Sequence, residues 1–222
     1  MPAPRARRQT KSGPGPAGPG LDAADECGFS LASSAGRTPK DPMSRIDDSL
    51  DFIPVRIAVL TVSDSRSMAD DRSGDVLADR IAAAGHLLAD RRILPDERGQ
   101  IADALRRWCA DPGVDVVIST GGTGLTGRDV TVEAHRDVYE KEIEAFGTVF
   151  TILSMEKIGT SAVQSRATGG VAQGTYMFAL PGSPGACKDA WDGILAPQLD
   201  FRHRPCNFVE IMPRLDEHLR RK

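Results

Sequence analysis

Residues 116–133 read VVISTGGTGLTGRDVTVE, and the succession of residue types in that stretch decides the fold. Val116, Val117 and Ile118 form a short apolar, β-branched run of the kind that makes a strand buried in a parallel sheet. Ser119 and Thr120 follow, then Gly121, Gly122, Thr123 and Gly124. Glycines this dense suit a tight turn whose backbone closely approaches something. Arg128, Asp129 and Thr131 lie beyond, and Thr131 is a good N-cap for the next helix. Strand, glycine loop and helix start together aim backbone N–H groups at an anion. A tight turn without a ligand has the same glycines, so both readings stand, and the surrounding Ser, Thr, Arg and Asp favour the ligand. The lysine-bearing phosphate loop G-x-x-x-x-G-K-[ST] is absent, and the stretch is read neither as an ordinary P-loop nor as a dinucleotide fingerprint.

Outward from this stretch, composition sets the bounds. The 222 residues suit one α/β domain plus a tail. A formal net charge of −3 creates no global basic field, so no nucleic-acid partner is expected. No apolar run approaches the roughly 18 residues that span a bilayer, so no membrane partner is expected. The basic N-terminus is followed by no apolar segment, which argues against a secretory signal. The cysteines at 27, 109, 187 and 206 have neither C-x-x-C nor zinc-site spacing and read as reduced thiols of a cytoplasmic chain. His86, His135, His203 and His218 are scattered and read as surface or packing residues.

Residues 1–50 read as a disordered Pro/Gly-rich tail. Within it GPGPAGPG, residues 13–20, can continue neither helix nor strand. Arg5, Arg7, Arg8 and Lys11 form a small basic cluster, either solvated or a tether to an anionic surface. Met43, just ahead of the folded pattern, is a candidate translation start that the intact mass of the native protein decides.

Order is expected from Val55. Val55, Ile57, Val59, Leu60 and Val62 make a strand ending in Ser63-Asp64-Ser65, which is either a ligand-facing strand end or a capping turn. Asp70, Asp71 and Ser73 lead into a helix with Leu77, Ile81 and Ala84 on one face, closed by Gly85. A strand within 87–94 ends at Leu94-Pro95. Asp96-Glu97 open a helix whose Ile101, Ala104, Leu105 and Trp108 share a buried face, Trp108 as core. Beyond the glycine loop, a short helix is expected from Val132 to about Tyr139 and a longer one over about 141–156. The longer helix carries Ile143, Phe146, Val149, Phe150 and Leu153, a stripe facing either the core or another subunit. Residues 165–170 read as a polar segment carrying Arg166. Tyr176–Leu180 is a buried strand ending in Pro181-Gly182-Ser183-Pro184-Gly185, with Ser183 as helix cap and Pro184 at the first helical position. Lys188 is either a solvated helix lysine or a site residue. Asn207–Ile211 reads as an edge strand. Strands and helices alternate, which predicts an α/β fold, a mostly parallel sheet with helices on both faces. The junctions at 119–131 and 181–188 then border one crevice at one sheet edge.

Asp96 and Asp129 both follow strand ends where backbone amides would receive phosphates. Carboxylates among phosphates repel them unless a cation intervenes, and Mg²⁺ is the usual mediator. Phosphoryl or nucleotidyl transfer needs little more than such positioning and neutralisation. Both acids also suit helix N-termini with no ligand at all.

Three segments carry a family resemblance: STGGTGLTGRDVT, LPGSPGACKDAWDGI and APQLDFRHRPCNF. With IGTSAVQSRA between the first two, they resemble the molybdenum cofactor biosynthesis protein B (MoaB) family, and more broadly the MogA and gephyrin molybdopterin-binding domain. The resemblance spans about 52–212, and the domain is set at 52–215. It implies a three-layer α/β/α, MogA-like fold that binds molybdopterin. Active members join molybdopterin to AMP from ATP with Mg²⁺ and release pyrophosphate, whereas some relatives are inactive. A non-catalytic molybdopterin-binding or assembly protein of the same pathway is therefore the alternative. The resemblance places the functional, metal-holding aspartates at Asp96 and Asp129. Its ligand-binding loops fall on Ser119, Thr120, Gly121, Gly122, Thr123 and Gly124, and on Pro181, Gly182 and Ser183. A homotrimer or hexamer is implied.

Overall fold

Arg56–Val62 is buried along almost its whole length, yet its side chains do not share one core. Ile57 and Val59 pack with Leu77, Ile81 and Trp191, whereas Ala58, Leu60 and Val62 pack with Ile101, Leu105 and Trp108. Alternation through a sheet covered on both faces produces this division. The computed structural model describes residues 45–220.

The elements run β1 (Arg45–Ile46), β2 (Arg56–Val62), α1 (Arg72–Ala83), β3 (Leu87–Leu94), α2 (Arg98–Cys109) and β4 (Val116–Thr120). Next come α3 (Thr131–Arg136), β5 (Lys141–Glu142), α4 (Glu144–Ile158), β6 (Thr168–Ala172) and β7 (Thr175–Leu180). Then α5 (Pro184–Ala190) runs through a π turn at Trp191–Leu195 into α6 (Ala196–Gln198). The described chain closes with β8 (His203–Arg204), α7 (Phe208–Ile211) and α8 (Glu217–Arg220).

The main sheet has the order β3-β2-β4-β7-β6-β5. Its β3–β2, β2–β4 and β4–β7 pairs are parallel, while β6 runs antiparallel to both neighbours. Helices α1, α4 and α5 supply one core and α2 and α3 the other, so the architecture is the three-layer α/β/α arrangement. From β2 the chain goes outward to β3, then crosses back past β2 to β4. The loops leaving β2 and β4 therefore part toward opposite helical layers, and such a switch point opens a crevice at the carboxyl ends of the strands. Ile118 of β4 stands between Val59 and Phe178, which places the glycine loop at the centre of that edge.

Several expectations change. Asn207–Ile211 is no edge strand, because the Asn207 side chain accepts a hydrogen bond from the Glu210 N–H at 2.8 Å and caps α7. Part of the polar segment is β6, the strand that the residue types concealed. A Cβ on Gly169 would stand 2.9 Å from the Phe178 ring, and one on Gly170 2.5 Å from Tyr139, so aromatic packing requires glycine in this strand. Val130, not Thr131, occupies the N-cap position of α3, and Thr131 is its first helical residue. That helix ends at Arg136 rather than near Tyr139. Residues 141–142 are strand, and α4 follows them. The reading of 1–44 as a tail lies outside the described residues. Residues 45–50 are described, and Arg45–Ile46 pairs antiparallel with His203–Arg204. Trp108 is core, with its indole N–H donating to Asp90 at 3.1 Å. Among the described residues no helix is long and apolar enough to cross a membrane.

Candidate active site

The loop after β4 turns on closely packed glycines, two of them at positive φ. Gly121 has φ +96°, and a Cβ there would lie 2.3 Å from the Val62 carbonyl oxygen of the neighbouring strand. Gly122 has φ +62°, and its Cβ would meet Asp96 Oδ1 and Thr131 Oγ1, each at 2.5 Å. A Cβ on Gly124 would lie 2.8 Å from Asp129 Oδ2, and one on Gly182 2.9 Å from the Gly121 Cα. The junctions after β4 and β7 therefore touch, and the two acids close on the same loop from different elements. The Gly122 and Thr123 N–H groups donate to no protein acceptor among the described residues. These parts line a cleft of about 450 Å³.

The acids differ in environment. Asp129 accepts from the Thr126 N–H at 2.8 Å. Hydrogen bonds from Thr126 hold its carboxyl below the usual range, burial opposing, with the Gly124 N–H and the Arg166 charge helping. Asp96 is pushed the other way, first by burial and then by the negative charges of Asp64 and Asp129. Beside Asp96, the buried Thr131 Oγ1 has no hydrogen-bond partner. An acid raised by burial and by like charges, next to an orphaned hydroxyl, is an arrangement that a cation would relieve.

Not every candidate faces the cleft. Gly121, Gly122, Thr123, Gly124, Pro181 and Gly182 line it together with Asp96 and Asp129. Ser119 and Thr120 are buried beneath the loop. The Ser119 hydroxyl pairs with His135 Nε2 at 3.1 Å, and the Thr120 hydroxyl donates to the Pro181 carbonyl at 3.0 Å. The Ser183 hydroxyl accepts from the Ala186 N–H at 3.1 Å and caps α5. Lys188 is exposed on that helix.

His135 is the strut of this buried layer. Its Nδ1 lies 2.9 Å from the Thr131 carbonyl oxygen, so Nδ1 carries the proton and Nε2 accepts from Ser119. Burial lowers its pKa to about 4, against the Thr131 carbonyl that favours the charged ring. The unfolded chain takes up this proton as pH falls below ~6.5, and the folded chain does so only near 4. Stability is therefore full above that window and falls through it, by on the order of 3 kcal/mol. Denaturant unfolding at pH 7 and pH 4.5 checks this: His135→Gln should be distinctly less pH-dependent than wild type, with the buried His86 still contributing, and an unchanged dependence would refute it.

The structure also brings in residues beyond the expected site set, among them Ser63 and Ser65 of the strand end that was read as either ligand-facing or a capping turn. Ser63, Ser65, Arg66, Gln164, Ser165 and Arg166 complete the lining. Arg166 donates to the Gly124 carbonyl at 3.0 Å and to Glu133, pinning the glycine loop to α3. Arg128 bridges Asp64 and Glu97, each at 2.9 Å. Strand-end Ser63 and the lone arginine of the polar segment were the available signals. Gly122, Gly124 and Gly127 do stand at G-x-G-x-x-G spacing. Helix α3 nevertheless starts only at Thr131, and Gly127 has open space around it, so the dinucleotide-loop context is missing.

Known proteins share this design. The family described as probable molybdopterin binding domain matches residues 58–200. Molybdenum cofactor biosynthesis protein B of Escherichia coli (strain K12) is 51% identical over 160 residues, covering 72% of this chain and 94% of that protein. Its namesake in Bacillus subtilis (strain 168) is 42% identical over 146 residues, 65% of this chain and 86% of that one. A crystal structure of molybdenum cofactor biosynthesis protein B superposes with a TM-score of 0.68 at 35% identity, covering 74% of this chain and 98% of that chain. The tungsten cofactor synthesizing protein MoaB from Pyrococcus furiosus gives 0.60 at 31% identity, covering 73% and 98%. Matched from its first core strand through its last core helices, the chain belongs to the molybdenum cofactor biosynthesis protein B family of probable molybdopterin binding domains.

Proposed function

We propose that this chain acts in molybdenum cofactor biosynthesis, binding molybdopterin and joining it to AMP from ATP with Mg²⁺. The pterin's terminal phosphate oxygen forms a bond to the α-phosphorus of ATP, the α–β bridging bond breaks, and pyrophosphate leaves with the electron pair. One observation carries the reading: Asp96 and Asp129, 33 positions apart, press on the same glycine loop at Gly122 and Gly124.

The residues fit a divalent cation. Asp96 is raised by burial and by two neighbouring negative charges, and the Thr131 hydroxyl beside it is orphaned. Among the described residues no group of three or more His, Cys, Asp or Glu forms a metal cage. Magnesium uses few protein ligands and completes its shell with phosphate oxygens and water. Asp96 and Asp129 would hold it, and bound there it would neutralise charge between acids and phosphates. The chain's own contribution is positional: the Gly122 and Thr123 amides receive phosphate oxygens, and Arg166 keeps the loop in place.

The alternative, a non-catalytic molybdopterin-binding or assembly protein, also has support, because the Asp129 carboxylate already serves its own loop as a hydrogen-bond acceptor. Incubation with molybdopterin, ATP and Mg²⁺, following pyrophosphate and adenylylated pterin, separates the two. Product formation supports transfer. Pterin binding without pyrophosphate supports the alternative, and absence of pterin binding rejects both.

The same reading assigns a homo-oligomer, a trimer or hexamer, in the cytoplasm. Helix α4 carries apolar residues beyond its buried face, with Ile152 55% and Ile158 53% exposed. A helix of that kind is ordinarily covered. Ile152→Glu should lower the assembly state in sedimentation velocity, and an unchanged mass would remove α4 from the contact.

A further inference from the structure

Arg66 is the cleft's one guanidinium without a carboxylate partner among the described residues. Its neighbours are all neutralised: Arg91 by Asp71 and Asp75, Arg92 by Asp90, Arg128 by Asp64 and Glu97, and Arg166 by Glu133. Arg66 instead donates to the Gly182 carbonyl at 3.1 Å and to the Ser73 hydroxyl at 3.3 Å. Both partners are neutral, so they orient the group without pairing its charge; the Asp70 carboxylate feels that charge but forms no ion pair with it. The remaining N–H donors of the fork stay free. The loop that carries it is itself fixed, because Ser63 Oγ accepts from the N–H groups of Ser65 and Arg66.

Its position matters as much as its charge. Arg66 is half-buried, and it lines both the glycine-loop cleft and an adjoining cavity of about 610 Å³ that includes Met68, Leu94 and Pro95. A charged fork held at the shared wall of two cavities meets any ligand that extends from one into the other. Partial burial strengthens its pull on an anion relative to an exposed arginine.

We infer that Arg66 is an anion-binding residue that holds a phosphate or pyrophosphate group at the junction of these two cavities, in the cleft that Asp96 and Asp129 also line. This deepens the adenylylation reading by naming the group that would grip the polyphosphate. The Gly122 and Thr123 amides meet the oxyanion from the sheet edge, and Arg66 meets it from the loop after β2. Its tie to Gly182 also links anion binding to the junction after β7.

Calorimetry with inorganic pyrophosphate and with ATP, each with Mg²⁺, tests the assignment on wild type, Arg66→Gln, Arg66→Lys and Arg107→Gln. Arg107 is an exposed arginine on α2, remote from the cleft lining, and serves as the control. Arg66→Gln should weaken both ligands about 10-fold to 100-fold and flatten the salt dependence of binding. Arg66→Lys should recover part of the affinity, and Arg107→Gln should bind as wild type does. Unfolding curves confirm that each variant is folded. If Arg66→Gln is misfolded, the Arg66→Lys titration decides, with wild-type affinity and salt slope counting against a fork-shaped contact. Wild-type affinity in a folded Arg66→Gln chain, or no pyrophosphate binding to wild type, overturns the assignment. Arg66-dependent pyrophosphate binding without adenylylation would instead leave Arg66 in place and reject transfer.

Discussion

Asp96→Asn and Asp129→Asn should each lower adenylylation of molybdopterin on the order of 10²-fold or more, about 3 kcal/mol of barrier, in chains that remain folded. Asparagine keeps the shape and removes the charge that would organise a divalent cation. The two variants should part company in stability. The Asp96 carboxyl is raised by burial and by Asp64 and Asp129, so its ionisation opposes folding once pH exceeds its folded pKa. Asp96→Asn should therefore stabilise the metal-free protein at pH 7. Asp129 is lowered, so its ionised form favours the fold, and that contribution is lost as pH falls through its folded pKa. Asp129→Asn should be mildly destabilising, since the amide oxygen still accepts from Thr126 but no longer attracts Arg166. Mg²⁺ should raise the melting temperature of wild type more than that of either variant, because a ligand stabilises the form that binds it. Near wild-type turnover in both variants would reject the metal assignment.

Gly121→Ala should be the most damaging small substitution in the loop. Its φ of +96° lies where L-residues are strained, and the new methyl would stand 2.3 Å from the Val62 carbonyl oxygen. That oxygen belongs to the sheet edge and has no easy retreat, and the Gly121 N–H is itself bonded to the Leu180 carbonyl at 3.1 Å. Strain and collision together should cost on the order of 3 kcal/mol or more. Ligand affinity should fall with it, since the neighbouring amides shift. Gly99→Ala is the matched control. Nothing lies within 4 Å of a Cβ there, and the position is inside α2, so alanine should be neutral or stabilising by up to about 1 kcal/mol. Denaturant unfolding of both variants measures the contrast, and equal effects would show that the loop tolerates a side chain.

Features encoded within a few residues were readable directly. The apolar run at Val116–Ile118, the i, i+3, i+4, i+7 spacing from Ile101 to Trp108, and Ser183-Pro184 at a helix start all appear where expected. The same holds for the contact between the loops after β4 and β7, which parallel alternation implies. Asn207 shows the limit of local reading. Val209 and Ile211 alternate as in a strand, but the Asn207 side chain captures the Glu210 N–H and starts a helix. At β6 the residue types work against recognition, because paired glycines have poor strand propensity and are there only to admit Phe178 and Tyr139.

The site divides in the same way. Residue type and spacing pointed to a tight turn at Gly121 and Gly122, and left Asp96 and Asp129 as either cleft acids or helix-start residues; all four line the cleft. Which serines and threonines face the cleft was not readable, since Ser119 and Thr120 point into buried hydrogen bonds made by His135 and Pro181.

The amino-acid sequence by itself determined the alternating α/β architecture, the two glycine-bearing junctions and the pair of acids, because periodicity, backbone freedom and capping act over a few neighbouring residues. Only the tertiary structure decided which cations lack an ion-pair partner and which hydroxyls are spent. Those outcomes depend on partners far along the chain, as with Arg66 and the Gly182 carbonyl, 116 positions apart, which chain crossing brings within hydrogen-bond distance.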